Sequence, residues 1–406
     1  MYIRSVQSRT VLIVLKSAMS FLKFSSLLLL FVSLSGRAEW SDPLEAPALV
    51  SDRAHKSLLL DITRAGSRLI AVGGHGHVVY SDDSGVSWTQ AKTPSSVTLT
   101  SVYFPSPTHG WAVGHDGIIL KTEDAGASWV KQFDGYLANK AIVKAARANK
   151  ENALAALDKA KNSGDTALIE TAEILMESAT YALEDAQYDA ESGSTKPFLD
   201  VWFYDAKRGF AVGAYGMTFA TKDGGKSWVD WSNRVDNPDR LHINGIAMVG
   251  PRSLMMAGEQ GMILRSDDMG DSWRSLPSPY EGSFFGIMSK SESVLVFGLR
   301  GNLFHSVDGG IRWEKVETGA TQTLLAAYTK SDRTAVLVGN GGNVVFLNRR
   351  FEPASTVTLP GRTAAAAVVQ APDGALVLVG EAGVNRIDSK GAVLAGAISM
   401  AEGDLK

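Results

Sequence analysis

Three groups of residues in this chain are of types that could do chemistry. The acids Asp61, Asp116, Asp200 and Glu259 stand in or beside short apolar segments. Two carboxyl groups held close together hydrolyse glycosidic bonds, one as general acid and the other as base or nucleophile. His75, His77 and His115 lie near one another in sequence, and imidazoles on neighbouring turns can share a metal ion. The third group is a Ser or Thr followed two residues later by Asp, and it recurs. The first two groups lack the spacing their chemistry needs. Nothing in the sequence brings two of the acids together, and histidines in exposed loops are the plainer reading. No catalytic residue, metal ligand or cofactor is therefore assigned. Cysteine is absent, which excludes disulfides, thiolate metal sites and an acylated lipoprotein anchor.

The third group decides the fold. Five octamers share one pattern: Ser81-x-Asp83-x-Gly85-x-x-Trp88, Thr122-x-Asp124-x-Gly126-x-x-Trp129, Thr221-x-Asp223-x-Gly225-x-x-Trp228, Ser266-x-Asp268-x-Gly270-x-x-Trp273 and Ser306-x-Asp308-x-Gly310-x-x-Trp313. Ten residues before each Asp, a Gly ends a short apolar run: Gly73, Gly114, Gly213, Gly258 and Gly298. The same Gly-x-x-Gly pattern continues at 336–342 and 376–383 without the octamer. From glycine to glycine the steps are 41, 99, 45, 40, 41 and 41 residues, so one ordinary repeat carries about 58 extra residues. Seven repeats of this length, each with four short strands, predict an all-β, seven-bladed propeller. In blade two the strands read 99–104, 110–114, 118–122 and 128–132, from the axis outward.

The octamer is an Asp-box. Its hydroxyl and carboxylate bond to amides of the hairpin between the third and fourth strands, its Gly takes the positive φ of the turn, and its Trp buries a large ring. A motif that recurs blade after blade belongs to the fold, whereas an active site occurs once. Blades six and seven have Arg349 and Lys390 where the Asp should stand, and are expected to be less regular. The ring could close through 46–50 as an added outer strand beside 392–398.

Residues 1–38 hold five bases and no acid, then an apolar stretch at 27–34 and small residues ending at Ala38. This pattern predicts a secretory signal peptide, with Met19 as an alternative start. The mature chain then has 35 basic and 43 acidic residues, a formal net charge of −8. That balance argues against nucleic acid or anionic lipid as a partner. The expected organisation is signal peptide 1–38, an N-terminal segment 39–56, blades one and two at 57–133, an insertion at 134–196, and blades three to seven with a tail at 197–406.

The insertion lacks strand signals and predicts an antiparallel helical hairpin, 138–161 and 165–191, turning at 162–165. Ile142, Ala146, Ala153, Leu157 and Ala160 form a seam on the first helix. Leu168, Ala172, Leu175, Ala179, Ala182 and Ala186 form one on the second, at heptad spacing. The first helix holds six bases and two acids, while the second holds eight acids and no base. The arm either projects or folds back on the ring. It joins two blades, so it should leave from the face that carries the Gly-x-x-Gly turns. On that face the residues between the glycines differ in every blade. They supply the candidate binding residues His75, His115, Asp116, Tyr215, Glu259, Arg300, Asn340 and Glu381. Fixed frames with variable side chains suit specific recognition, and equally suit tolerant loop tips.

The segments 101–129 and 200–228, with Gly-Trp-Ala-Val-Gly114 and Gly-Phe-Ala-Val-Gly213 at their centres, resemble the photosystem II stability and assembly factor family. The likeness runs from about residue 57 to 398, apart from the insertion. It implies a propeller without catalytic activity that serves as scaffold or chaperone for a membrane complex or its subunit from the periplasmic side, peripheral to the membrane at most. The rival reading is an Asp-box glycoside hydrolase of sialidase or glucanase type. The Phe/Tyr-Arg-Ile-Pro motif of sialidases is replaced here by Leu58-Leu-Leu-Asp-Ile-Thr-Arg-Ala-Gly66.

Overall fold

Each blade is built on a second strand that is apolar and buried on both sides, such as Gly110–Gly114, Leu254–Gly258 and Leu376–Gly380, with only the leading Arg68 and Ser293 of blades one and five half-buried. A strand buried on both faces needs a neighbour on each, and successive antiparallel sheets around a common axis provide them. The computed structural model describes residues 41–290, 293–330 and 332–394, and the chain from Pro43 onward forms one compact unit. The signal-peptide segment lies outside the described residues. There are seven sheets, and in each the strands pair in sequence order. Six sheets have four strands, and the seventh has three among the described residues. Seven apolar cores fill the seven junctions between blades. At the junction of blades one and two Ile70, Val72, Val102, Ala112 and Leu120 meet. Where the last blade meets the first, Leu69, Ala71 and Val79 pack on Val369, Val377 and Val379.

The octamers tie the outer edge of each blade. In blade one the Ser81 hydroxyl donates to Asp83 Oδ1 at 2.7 Å and accepts from the Gly85 amide at 2.8 Å. Asp83 in turn accepts from the Ser87 amide at 2.9 Å and the Ser87 hydroxyl at 2.6 Å. The same set recurs around Thr122–Asp124, Thr221–Asp223, Ser266–Asp268 and Ser306–Asp308, with Arg312 replacing the last serine. Trp129, Trp228 and Trp273 are buried, and Trp88 and Trp313 are partly so. With the turn fastened this way, four of these blades need only a two-residue outer strand: Thr89–Gln90, Val229–Asp230, Arg274–Ser275 and Glu314–Lys315.

Blades six and seven replace the motif rather than lose order. Asn348 accepts from the amides of Arg350 and Glu352, and Asp388 from those of Lys390 and Ala392, so a side-chain-capped turn stands in each place. Blade six compensates with a six-residue outer strand, Pro353–Thr358. The segment 46–50 forms no strand in the ring. It runs past blade one, where Gln90 donates to the Leu49 carbonyl and accepts from the Ser51 amide. Val393 bridges to Ile387, and the Leu394 amide donates to the Arg386 carbonyl, so a fourth strand of blade seven begins from the C-terminal side. Residues 395–398 lie outside the described residues. Closure among the described residues rests on the packing of blade seven against blade one.

The insertion is two helices, α1 (Gly135–Ser163) and α2 (Thr166–Glu191). Asp134 caps α1 by accepting from the Leu137 amide, Gly164 ends it at φ 71°, and Asp165 caps α2 through the amides of Ala167 and Leu168. Leu157, Ala160 and Ala172 are buried between the helices with Ile169 and Met176 beside them. Leu168 and Leu175, expected in this seam, are instead 54% and 55% exposed. Alanines at 172, 179 and 186 fit either register, and the bulkier Ile169 and Met176, one position further on, take the inner side. Among the described residues no ion pair joins the two helices. Asp185 and Asp189 of α2 pair with Arg240 and Lys196 outside the hairpin. The base is anchored, with Ala138 in the core shared by Phe133, Phe198 and Phe219, while at the far end Leu154 and Leu168 are exposed.

Each motif glycine also touches the preceding blade. A Cβ added at Gly270 meets the Phe210 ring at 2.3 Å, on a backbone with φ +89°. Gly374 has the same φ of +89° with nothing within 4 Å. Gly270→Ala is expected to lower stability by about 2–4 kcal/mol, combining left-handed strain with overpacking. Gly374→Ala should cost only the strain, about 1–2 kcal/mol. Equal losses in denaturant unfolding would show that the motif does not lock neighbouring blades together.

Candidate protein-binding face

All the Gly-x-x-Gly turns join second and third strands and lie at one end of the ring. The first glycine of each is extended and packed close against the inner strand; a Cβ at Gly114 would stand 2.1 Å from the Thr98 carbonyl oxygen. The second variable residue is left-handed: His75 (φ 57°), Asp116 (52°), Tyr215 (55°), Gln260 (51°) and Arg300 (59°), with Gly341 at 66° in blade six. Blade seven instead turns through the two residues Glu381-Ala382, because Gly380 pairs directly with Gly383. The side chains of His75, His115, Tyr215, Arg300, Asn340 and Glu381 are exposed, and Asp116 and Glu259 are half-buried.

Two of these candidates are brought together and a third is covered. The Tyr215 ring lies 4.9 Å from that of His242. His242 Nδ1 is 2.5 Å from Glu259 Oε2, which also accepts from the His242 amide at 2.8 Å. On the other side Lys196 Nζ stands 5.3 Å from the Tyr215 ring and is paired with Asp189 of α2. Burial works to raise the Glu259 carboxyl, but the donors from His242 outweigh it and hold the pKa below its ordinary value. A continuous run of contacts thus links the hairpin to the turns of blades three and four. The blade-two turn lies under the base of the hairpin, where Ser194 Oγ donates to the Asp116 carbonyl and Gly135 packs on Gly117. His75, Arg300, Asn340 and Glu381 stand apart, on the remaining turns.

Under the hairpin is a cleft of about 410 Å³. Ile142, Ala146, Ala182 and Ala186 line its helical side, and Tyr215, Asp230, Asn233 and Arg240 its ring side. Lys196, His242 and Arg240, which shape this region, are not singled out by the sequence pattern. Lys196 and Arg240 sit just outside the repeated frame, in connections whose course only the fold reveals.

The acids Asp61 and Asp200 do converge, although no spacing shows it. Each sits two residues into an inner strand, on either side of blade two. Ser101 Oγ lies 3.2 Å from Asp61 Oδ2 and 2.8 Å from Asp200 Oδ1. Asp61 also accepts from the amides of Ile62 and Val102, and Asp200 from those of Val201 and Ile246. Burial pushes the Asp61 carboxyl up to about 7, against the donors of Val102 and Ile62 and with some help from the charge of Asp200. Burial likewise raises Asp200 to about 6. All four carboxylate oxygens are engaged by the protein itself, and these contacts tie blade one to two and blade three to four. Among the described residues no group of three acids or histidines could hold a metal ion. None of the described helices is long and apolar enough to cross a membrane.

Comparison with known proteins agrees with this architecture. Residues 35–123 and 182–281 match the family model described as photosynthesis system II assembly factor YCF48. The photosystem II assembly lipoprotein Ycf48 of Synechococcus sp. (strain CC9902) is 30% identical over 163 residues. That match takes in 39% of this chain and 47% of the relative, so the chain spans about half the length of the curated relative it matches. Among solved structures, YCF48 bound to D1 peptide superposes with a TM-score of 0.54 at 13% identity, covering 87% of this chain and 99% of that one. YCF48 from Cyanidioschyzon merolae gives 0.54 at 12% identity, covering 81% and 94%. The WD40 propeller domain of Doa1 gives 0.55 at 11% identity, covering 85% and 95%. At such identities the structures speak for the fold alone.

The inner acids make a measurable prediction. Their carboxyls hold protons more tightly in the ring than in the unfolded chain, where the ordinary value is about 4. Between about pH 4 and 7 the folded state binds more protons than the unfolded one, so this contribution to stability falls as pH rises. His55, His77 and His305 are lowered chiefly by burial and act in the opposite sense, so the comparison is made as a difference. The melting temperature of Asp61→Asn minus that of wild type should rise from pH 5 to pH 8. A difference independent of pH would mean that Asp61 is already ionised at pH 5.

Proposed function

Because this chain is a photosystem II assembly factor-like β-propeller, we propose that it works without catalysis as a binding and assembly factor, exported to the periplasm, for a protein belonging to a membrane complex. The observation that carries the reading is the Gly-x-x-Gly face, where fixed turns present a different side chain in each blade and a helical arm stands over one sector. A related propeller described as bound to a D1 peptide supports a polypeptide client for such a ring. The formal charge of −8 for the mature chain favours protein over nucleic acid. We place the protein at the membrane periphery. The curated relative is named a lipoprotein, whereas these 406 residues hold no cysteine to acylate.

The glycosidase reading has one observation in its favour, the approach of Asp61 and Asp200 to a shared hydroxyl. Their hydrogen bonds to four ring amides fit a clamp between blades better than a pair free to exchange protons with substrate. Mature protein should therefore turn over neither sialosides nor β-glucans. Activity that vanished in Asp200→Asn would make the hydrolase the better reading.

The binding reading is tested by shortening the arm. The base is part of the ring core, so the arm is cut above it, joining Arg147 to Leu183 through a short Gly/Ser link. Apart from the side of the groove that faces Arg240, the removed contacts are internal to the hairpin, and the ring should melt within a few degrees of wild type. Recovery of the client from the cell envelope should fall sharply, and fall further with salt. Alanine at Tyr215, Glu259 or Arg300 should weaken the same partner, while substitutions at the motif tips Lys226 and Val307 should not. A destabilised ring with unchanged binding per folded molecule would make the hairpin a structural element only.

A further inference from the structure

Helix α2 carries a second seven-residue rhythm beside the one that packs on α1. Ile174, Tyr181 and Tyr188 recur every seventh residue and are 63%, 59% and 72% exposed. Seven residues fall about 20° short of two helical turns, so such a set makes one slowly winding stripe. Glutamates keep the same step along one flank, at 170, 177, 184 and 191, each four residues before or three after a stripe position. Among the described residues the ion pairs of α2 use Asp185 and Asp189 and none of these glutamates. The Tyr181 hydroxyl lies 3.4 Å from Glu177. α2 has no base to neutralise the row. Across from the stripe stands Arg240, so that Ile174, Ser178, Tyr181 and Asp185 line a shallow groove of about 470 Å³ with it.

We propose that this stripe is a docking seam for an α-helix of the client protein, one with apolar residues at heptad spacing and Lys or Arg beside them. The inference rests on the reading of the hairpin as a docking arm and names the chemistry of what it docks. A heptad seam is met by another helix, because only a helix presents side chains in step with it over several turns. The glutamate row selects a basic flank. A second copy of this chain does not suit the seam. Its own α2 would bring glutamate against glutamate, and the apolar face of its α1 is already spent on α2.

The probe is a synthetic helix of three heptads with Leu at the two seam positions and Lys at the flanking ones, with a twin carrying Glu in place of Lys. Titrated into the mature chain at low salt, the Lys peptide should bind about tenfold or more tightly than the Glu peptide, and lose that advantage as salt rises. Ile174→Glu with Tyr181→Glu should abolish binding and leave the helical circular dichroism intact, because both side chains are exposed. Glu177→Lys with Glu184→Lys should reverse the preference to the Glu peptide. Equal binding of the two peptides, or preference unchanged in the charge-reversed variant, would overturn the proposal. So would sedimentation of the mature chain as a dimer that the Ile174/Tyr181 variant dissociates. If shortening the arm removes the client and the Ile174/Tyr181 variant does not, the arm still docks and only the helix seam fails.

Discussion

A hydroxyl and a carboxylate two residues apart on the chain hold this ring together from its outer edge. The Ser81–Asp83 pair and its four equivalents fasten a turn in which two successive residues are left-handed, as at Ser84 (φ 63°) and Gly85 (φ 86°). Once the turn is fixed by side chains, the outer strand no longer has to hold it by ladder bonds, and two residues suffice. The same turn presses its glycine against the blade before it: Gly126 on Ile70, Gly270 on Phe210, Gly310 on Met255, and Gly85 on Val377 across the closure. A local hydrogen-bond arrangement thereby becomes a contact between blades. Blades six and seven show the trade in reverse, since with Asn348 and Asp388 as simpler caps blade six lengthens its outer strand instead.

Nearer the axis the junctions are fastened by a different chemistry. Asp61 reaches the Val102 amide in blade two, and Thr100 donates to the Phe198 carbonyl of blade three at 2.7 Å. Asp200 reaches the Ile246 amide in blade four, and Asn244 donates to the Phe284 carbonyl of blade five at 2.7 Å. Each of the first four junctions thus has at least one side-chain bond between inner strands, with Ser101 adding its bonds to Asp61 and Asp200, and such bonds are worth about 1 kcal/mol apiece when buried. At the later junctions Phe285, Leu325 and Ala366 stand where Thr100 and Asn244 do, and Gly286, Ala326 and Ala367 where Asp61 and Asp200 do, and none of these can make such a bond. The polar bridges bracket the place where the arm interrupts the ring. They join blades two and three directly, by a bond independent of the connection that the hairpin occupies. The arm can therefore be long without loosening the ring.

The repeat, the blade count and the hairpin were legible because each rests on local rules: spacing of glycines, strand-length apolar runs, and caps such as Asp134 and Asp165. What escaped was set by tertiary packing. Leu168 and Leu175 form a good heptad on paper, and Ile169 and Met176 form a better one only when the facing volume of Leu157 and Ala160 is known. Asp61, Ser101 and Asp200 are some 40 and 100 residues apart and meet because three consecutive inner strands stand side by side. Aligning the seven inner strands would have placed all three at one position, which is the signal that composition and motif reading pass over. Asn348 and Asp388 were hidden because each cap stands one or two residues ahead of the position at which the octamer carries its aspartate.

The turn face adds a last physical constraint. In six blades the second residue of the Gly-x-x-Gly turn is left-handed, so that conformation belongs to the repeat. Glycine would take it without strain, and blade six has Gly341 there. Blades one to five carry His, Asp, Tyr, Gln and Arg instead, at about 1–2 kcal/mol of strain each. Indifferent loop tips have no reason to bear that cost five times. Side chains mounted on turns locked by close backbone contact lose little further freedom on binding, which leaves more of their contact energy for affinity. The strain argues for a pre-set display, and at Tyr215 the displayed ring is further held by contact with both His242 of the ring and Lys196 at the foot of the arm.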